Sequence, residues 1–222
     1  MFAVSQCHDH VATLPHAAAV KALTEYFTTL RQKQFALYFL TLTYKQAADI
    51  PLTLPSVSKT FDRAYIELLR RYIHPSNFAR PKYRPLQPIV FAFPDYSKTK
   101  FKHATWTSSG IVGLHHHAIA AACPEVAMRL DPACFANSLT SLSSFILTSD
   151  LRRIGATHND IKAVVDYATS YAFKKLPKAN EDYRLLVYPH VERWKQAHTP
   201  VSKWFRNLQE TPSANCLIPH AI

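Results

Sequence analysis

Ile111-Val112-Gly113-Leu114-His115-His116-His117-Ala118-Ile119-Ala120-Ala121 is the stretch on which the fold turns. The run is apolar apart from three consecutive imidazoles, and it reads as a buried strand. Successive side chains of a strand point to opposite faces. Gly113, His115, His117 and Ile119 therefore share one face, and Leu114, His116 and Ala118 the other. Two imidazoles side by side on one face suit a divalent first-row metal; Mg2+ prefers oxygen but enters mixed sites. Such a pair needs a third ligand from a neighbouring strand. Asp95, at the end of the preceding strand, and His103 are the candidates.

Working outward, Val20, Leu23, Phe27 and Leu30 recur at helical spacing within residues 15–34. Residues 35–45 change period and, being aromatic and β-branched, read as a buried strand. After Pro51 and Pro55, Ser56 or Ser58 is expected to cap a helix with Phe61, Tyr65, Leu68, Leu69 and Tyr72 on its apolar face. Prolines 75, 81, 85 and 88 mark an irregular stretch. Then come a short strand over 89–93, a basic turn from Asp95 to Lys102, a strand over 103–107 and the histidine strand. A helix from Asp131 to Leu142, a strand over 145–154 and a helix capped by Asn159 or Asp160 and reaching Lys175 complete the order.

That order lacks a regular βα alternation. It predicts an α+β fold, a central antiparallel sheet of the split βαβ (ferredoxin-like) type with helices packed on one side. The expected organisation is an N-terminal helical extension (1–34), a central domain (35–176) and a partly helical C-terminal extension (177–222).

The last predicted helix carries Tyr167-Ala168-Thr169-Ser170-Tyr171-Ala172-Phe173-Lys174. Tyr167 and Tyr171 are four apart and share a helix face, with Lys174 three residues further on. A phenol is a weak nucleophile at its free pKa of about 10 and needs a polarised phosphate or a nearby cation. A metal strand followed by such a helix points to phosphoryl transfer through a covalent tyrosine intermediate.

Composition narrows the partners. Apolar residues make up 48% of the 222 residues and charged ones 18%, which is globular rather than disordered. Lys and Arg outnumber Asp and Glu 26 to 15, for a net charge of +11, so an anionic partner is expected, nucleic acid first. The candidate phosphate contacts are Arg63, Arg70, Arg71, Arg80, Lys82, Arg84, Lys98, Lys100 and Lys102, with Tyr83, Tyr96 and Trp106 available to stack on unpaired bases. Three glycines in the whole chain leave no Gly-rich phosphate loop, which excludes a Walker-type ATPase. The four cysteines show no C-x-x-C spacing, and neither a secretory signal nor a membrane-spanning run is read, so a cytoplasmic protein without membrane partners is expected. A second H-x-H, His8 and His10, lies in a segment with no strand pattern.

Three motifs in this order resemble the HUH endonuclease superfamily, the rolling-circle replication initiators of plasmids and phages with related relaxases and transposases. Phe39-Leu40-Thr41-Leu42-Thr43 is similar to their first strand motif, His115 to Ile119 to the metal motif, and Tyr167 to Lys174 to the tyrosine motif. The resemblance spans residues 35–175. His116 stands where a bulky hydrophobic residue is usual, and Ala118 where glycine is common.

The resemblance implies the HUH fold, with His115 and His117 binding Mn2+ or Mg2+ and Tyr171 as nucleophile with Lys174 as its electrostatic partner. Tyr167 is then a second nucleophile or a packing residue. It further implies nicking and joining of single-stranded or hairpin origin DNA, with a separate helicase for unwinding. The competing expectations are a catalytically silent DNA-binding module of the same fold, a relaxase or transposase, and a metal hydrolase unrelated to DNA.

Overall fold

Ala36–Tyr44 forms β1, the strand about which the sheet is organised; it is hydrogen-bonded on both sides, to β3 (Leu114–Ala122) and to β4 (Ile146–Arg153). In the computed structural model, which describes residues 16–45, 52–96, 113–174 and 185–189, the order is β4-β1-β3-β2-β5, with β2 at Ile89–Tyr96 and β5 at Leu186–Tyr188. Every neighbouring pair is antiparallel. The helices are α1 (His16–Gln32), α2 (Leu54–Tyr72), α3 (Pro124–Arg129), α4 (Pro132–Leu142) and α5 (His158–Lys174). β1-α2-β2-β3-α4-β4 is the expected split βαβ arrangement, with β3 inserted between β1 and β2.

Helices cover both faces of the sheet rather than one. On the first face α1 brings Tyr26 and Phe27 edge-on against Phe91 of β2, at 5.7 and 5.5 Å between ring centroids, and α5 lies alongside α1. On the second, α2 sets Phe61 against His116 and Tyr65 against Tyr188, while Tyr72 meets Phe135 of α4. Fully burying such side chains contributes roughly 1.5–3 kcal/mol each. The core thus runs through both layers. α1, from the expected N-terminal extension, belongs to it, and β5, from beyond residue 177, is an edge strand of the sheet.

Three local expectations change. The cap of α2 is Thr53, in a reciprocal box with Ser56, rather than Ser56 or Ser58. At α5, Thr157 Oγ1 accepts from the Asp160 backbone N–H at 3.1 Å, and Asp160 Oδ2 accepts from the Thr157 N–H. Asp160 is therefore the returning partner of a Thr157 cap. Gly155 leaves room for it, since a Cβ there would collide with the Asp160 carboxylate. Lastly, β2 continues through Tyr96, so Asp95 sits in a strand and not in a turn. The expected strand over 103–107 lies outside the described residues, as do His8 and His10.

His116 occupies the core. It is 0% exposed, shares a 2.8 Å hydrogen bond between Nδ1 and the Tyr44 hydroxyl, and has no hydrogen-bond partner at Nε2 among the described residues. Burial, aided by the neighbouring His115 and His117, pulls its pKa from 6.5 to about 3. A depressed imidazole pKa means that the unfolded chain takes up the proton first. Its contribution is fully present above pH 6.5 and declines as pH falls toward 3, at about 1.4 kcal/mol per pH unit. Replacing both polar partners by apolar groups (His116→Leu with Tyr44→Phe) removes this slope. Urea unfolding between pH 7 and 4 should show wild type losing stability faster than the double variant; parallel curves would refute the assignment.

Candidate metal centre

The antiparallel registers lay the first face out in rows. Thr148, Thr43, His115 and Asp95 form one row across β4, β1, β3 and β2; Asp150, Thr41, His117 and Phe93 form the next; Arg152, Phe39, Ile119 and Phe91 form the third. Paired residues of an antiparallel ladder lie on the same face with Cβ atoms about 5 Å apart. Asp95 is thereby opposite His115 and diagonal to His117. Its Oδ2 lies 3.6 Å from His115 Nε2 and 3.5 Å from His117 Nε2, and the two Nε2 atoms are 3.1 Å apart. All three groups are buried or half-buried, and together they can hold a metal ion.

The outer nitrogens of both rings are engaged. His115 Nδ1 lies 2.8 Å from the Gly113 carbonyl oxygen, and His117 Nδ1 lies 3.2 Å from Thr41 Oγ1. Gly113 has φ 72°, a left-handed conformation that a side chain would strain, and this turn at the start of β3 aims its carbonyl back at His115. A neutral imidazole bears one N–H. The Gly113 carbonyl can only accept, so the neutral His115 ring donates Nδ1–H to it and presents a lone pair at Nε2. Thr41 Oγ1 can accept from His117 Nδ1–H in the same way, which turns both lone pairs toward the Asp95 carboxylate. Two lone pairs at this separation repel unless a proton or a cation lies between them, so the donor set fits a divalent metal. Burial lowers the His115 pKa, and the His117 ring adds to the effect; the Gly113 bond and Asp95 act against it. A proton therefore competes for His115 only below the ordinary imidazole range.

α5 brings the Tyr167 phenol to this face. β4 runs away from the Thr43–Thr148 row to end at Arg153 beside Tyr38, and α5 then returns along the sheet. By its third turn it places the Tyr167 ring 4.8 Å from the His117 ring and 5.9 Å, edge-on, from Phe39. Tyr167 is 58% exposed. The backbone of Tyr171 is one turn further along α5, about 6 Å along the helix axis. The backbones of Tyr171 and Lys174 belong to α5, and their side chains lie outside the description.

The cationic candidates are distributed differently. Arg63, Arg70 and Arg71 are exposed on α2, which covers the face opposite the metal ligands. Arg71 pairs with Glu67 at 3.7 Å. Arg80, Lys82 and Arg84 are exposed in the connection leading to Ile89, the end of β2 far from Asp95, and Lys82 lies over the Tyr83 ring. Lys98, Lys100, Lys102, His103 and Trp106 fall outside the described residues. Sequence reasoning passed over Arg152, a cation on the metal face that pairs with Asp150 at 2.7 Å. It also passed over the outer contacts of the histidines; the alternation of β1 held the signal for Thr41, which shares a face with Phe39 and Thr43.

No protein-family model, curated protein or solved structure matches the chain in comparison. Among the described residues, no helix is long and apolar enough to cross a membrane.

Losing a metal ligand should weaken Mn2+ binding beyond the about 10–100-fold typical of an outer contact. Calorimetric titration of His117→Ala and Asp95→Asn tests this, and wild-type affinity in either would remove that residue from the site. In wild type, proton competition at His115 should set in only as pH drops below 6.5, because its pKa is depressed.

Proposed function

We propose that the protein nicks and rejoins single-stranded DNA through a covalent 5′-phosphotyrosine, as an initiator of rolling-circle replication of a plasmid or phage. The observation that carries this reading is the contact of an α5 tyrosine with a metal-ligand histidine on one sheet face: Tyr167 against His117, beside Asp95 and His115. The +11 net charge supports a polyanionic substrate. The three motifs named above support the choice of DNA chemistry.

When bound at Asp95, His115 and His117, Mn2+ or Mg2+ would polarise a non-bridging oxygen of the scissile phosphate. The chain's own part is to supply and orient the nucleophile. The phenolic oxygen attacks phosphorus as the P–O3′ bond breaks. The phenol proton is balanced by the proton taken up on the departing 3′ oxygen, leaving a free 3′-hydroxyl. Attack by that hydroxyl, or by the 3′ end of another strand, reverses the step and releases the tyrosine. The nearly isoenergetic exchange of one phosphodiester for another accounts for joining without a nucleotide cofactor.

Two phenols are candidates for the attack. Tyr171 has Lys174 at the spacing of the tyrosine motif, and that cation would favour its phenolate. Tyr167 has the ring contact with His117. The described basic residues on α2 and before β2 lie away from this face, so on this reading they grip flanking DNA rather than the scissile phosphate. A separate helicase would unwind the duplex.

Incubation with labelled single-stranded origin DNA and Mn2+ should yield a denaturation-resistant protein–DNA adduct. The adduct should disappear in the Tyr167→Phe, Tyr171→Phe double variant, and the single variant that abolishes it names the nucleophile. Salt-sensitive binding without an adduct would indicate the silent module. Cleavage to a free 5′-phosphate without an adduct would indicate a hydrolase.

A further inference from the structure

The two histidines have different kinds of outer support. His115 Nδ1 is held by a backbone carbonyl, that of Gly113, which no side-chain substitution deletes. His117 Nδ1 meets a side chain, Thr41 Oγ1, at 3.2 Å. Its ring is also stacked on Phe39, with centroids 5.3 Å apart and 24° between planes. Phe39 in turn touches the Tyr167 ring edge-on. Thr41 and Phe39 are two residues apart on β1, so one strand face supplies both contacts.

We infer that Thr41 and Phe39 are positioning residues for the metal centre, Thr41 fixing the tautomer of His117 and Phe39 fixing its ring plane against Tyr167. The inference rests on the metal reading of the site and not on the nicking chemistry. An imidazole binds a metal through a nitrogen that bears no proton, so the other nitrogen must keep its proton and have an acceptor for it. Thr41 Oγ1, 3.2 Å from Nδ1, can accept from an Nδ1–H, and that arrangement leaves the Nε2 lone pair facing Asp95 and His115. Without it, the Nε2–H tautomer would donate to Asp95 or to His115 Nε2, both within 3.5 Å, and close the site to metal. The stack serves a second purpose. A strand residue alone leaves the ring free to turn about its side-chain bonds, and packing against Phe39 holds it where Nε2 points along the face. Phe39 and Thr41 belong to the strand motif that precedes the metal motif in sequence, and the cross-strand pairing of Thr41 with His117 gives that motif a physical role.

The test uses the full chain. Thr41→Val keeps the shape and removes the acceptor; Thr41→Ser keeps the hydroxyl; Phe39→Leu removes the stack and leaves Thr41 in place. 15N NMR of the imidazole nitrogens in metal-free protein reads the His117 tautomer, and calorimetry reads Mn2+ affinity. Thr41→Val should shift His117 toward the Nε2–H form and weaken Mn2+ binding by about 10–100-fold. Thr41→Ser should retain both, and Phe39→Leu should weaken binding without changing the tautomer. A merely structural Thr41 would alter the melting temperature in Val and Ser alike and leave the tautomer as it was. Wild-type Mn2+ affinity with an unchanged tautomer in Thr41→Val overturns the inference and leaves the metal centre standing. Absence of Mn2+ binding in wild type overturns the metal reading itself, and the inference with it. If Thr41→Val does not fold, Thr41→Ala is read in the same way.

Discussion

The pairing of β1 with β3 is the constraint on which the rest of the structure depends. Its register sets Thr41 opposite His117 and Thr43 opposite His115, and it puts His116 on the other face with Leu42. Side chains of a strand alternate, so a slip of one residue would bury His115 and His117 under α2 and turn His116 toward α5. The register is held from both sides. On the second face Tyr44, Phe61 and His116 pack as a buried cluster, and on the first Phe39 stacks on His117. β2 and β4 then take their positions from β3 and β1, which brings Asp95 beside His115 and leaves Asp150 and Arg152 along the exposed edge.

The two faces of the sheet do different work. The face under α2 and α4 is packed with aromatic and aliphatic side chains, and burial holds His116 there neutral. The face under α1 and α5 gathers Asp95, His115 and His117, which could hold a metal ion, with their outer contacts and the tyrosine helix. His115 and His117 thus have a hydrophobic layer behind them and a partly open polar surface in front. This division explains why the exposed arginines of α2 lie far from the metal ligands, since α2 is the lid of the packed side.

Much of this was legible in the residues. The alternation through the histidine run correctly separated His115 and His117 from His116, because a period of two is a local property of an extended chain. The helical spacing that set Tyr167 and Tyr171 on one face is equally local. Asp95 was legible as a candidate and not as a partner, since its place depends on how far β2 continues and on how it registers with β3. Expecting a turn there treated the run of lysines after Tyr96 as the end of the strand, whereas pairing with Leu114 and His115 carries the strand through Tyr96. The caps were misassigned for a similar reason. Several Ser, Thr, Asn and Asp residues stand around the starts of α2 and α5, and only the folded geometry selects Thr53 and Thr157 among them, whereas Asp131 caps α4 as its place in the sequence suggested.

By itself, the sequence determined the types of α1, β1, α2, β2, β3, α4, β4 and α5, the split βαβ order, the side of the strand on which each histidine lies and the basic character of the chain, but neither α3 nor β5. These follow from periodicity, propensity and charge, which act over a few residues or over the whole composition. Tertiary structure alone decided that Asp95, and not merely some carboxylate, faces both Nε2 atoms, that Thr41 and Gly113 hold the outer nitrogens, and that helices cover both faces. Those contacts join residues from 2 to about 80 positions apart through strand register and layer packing, which short-range patterns do not encode.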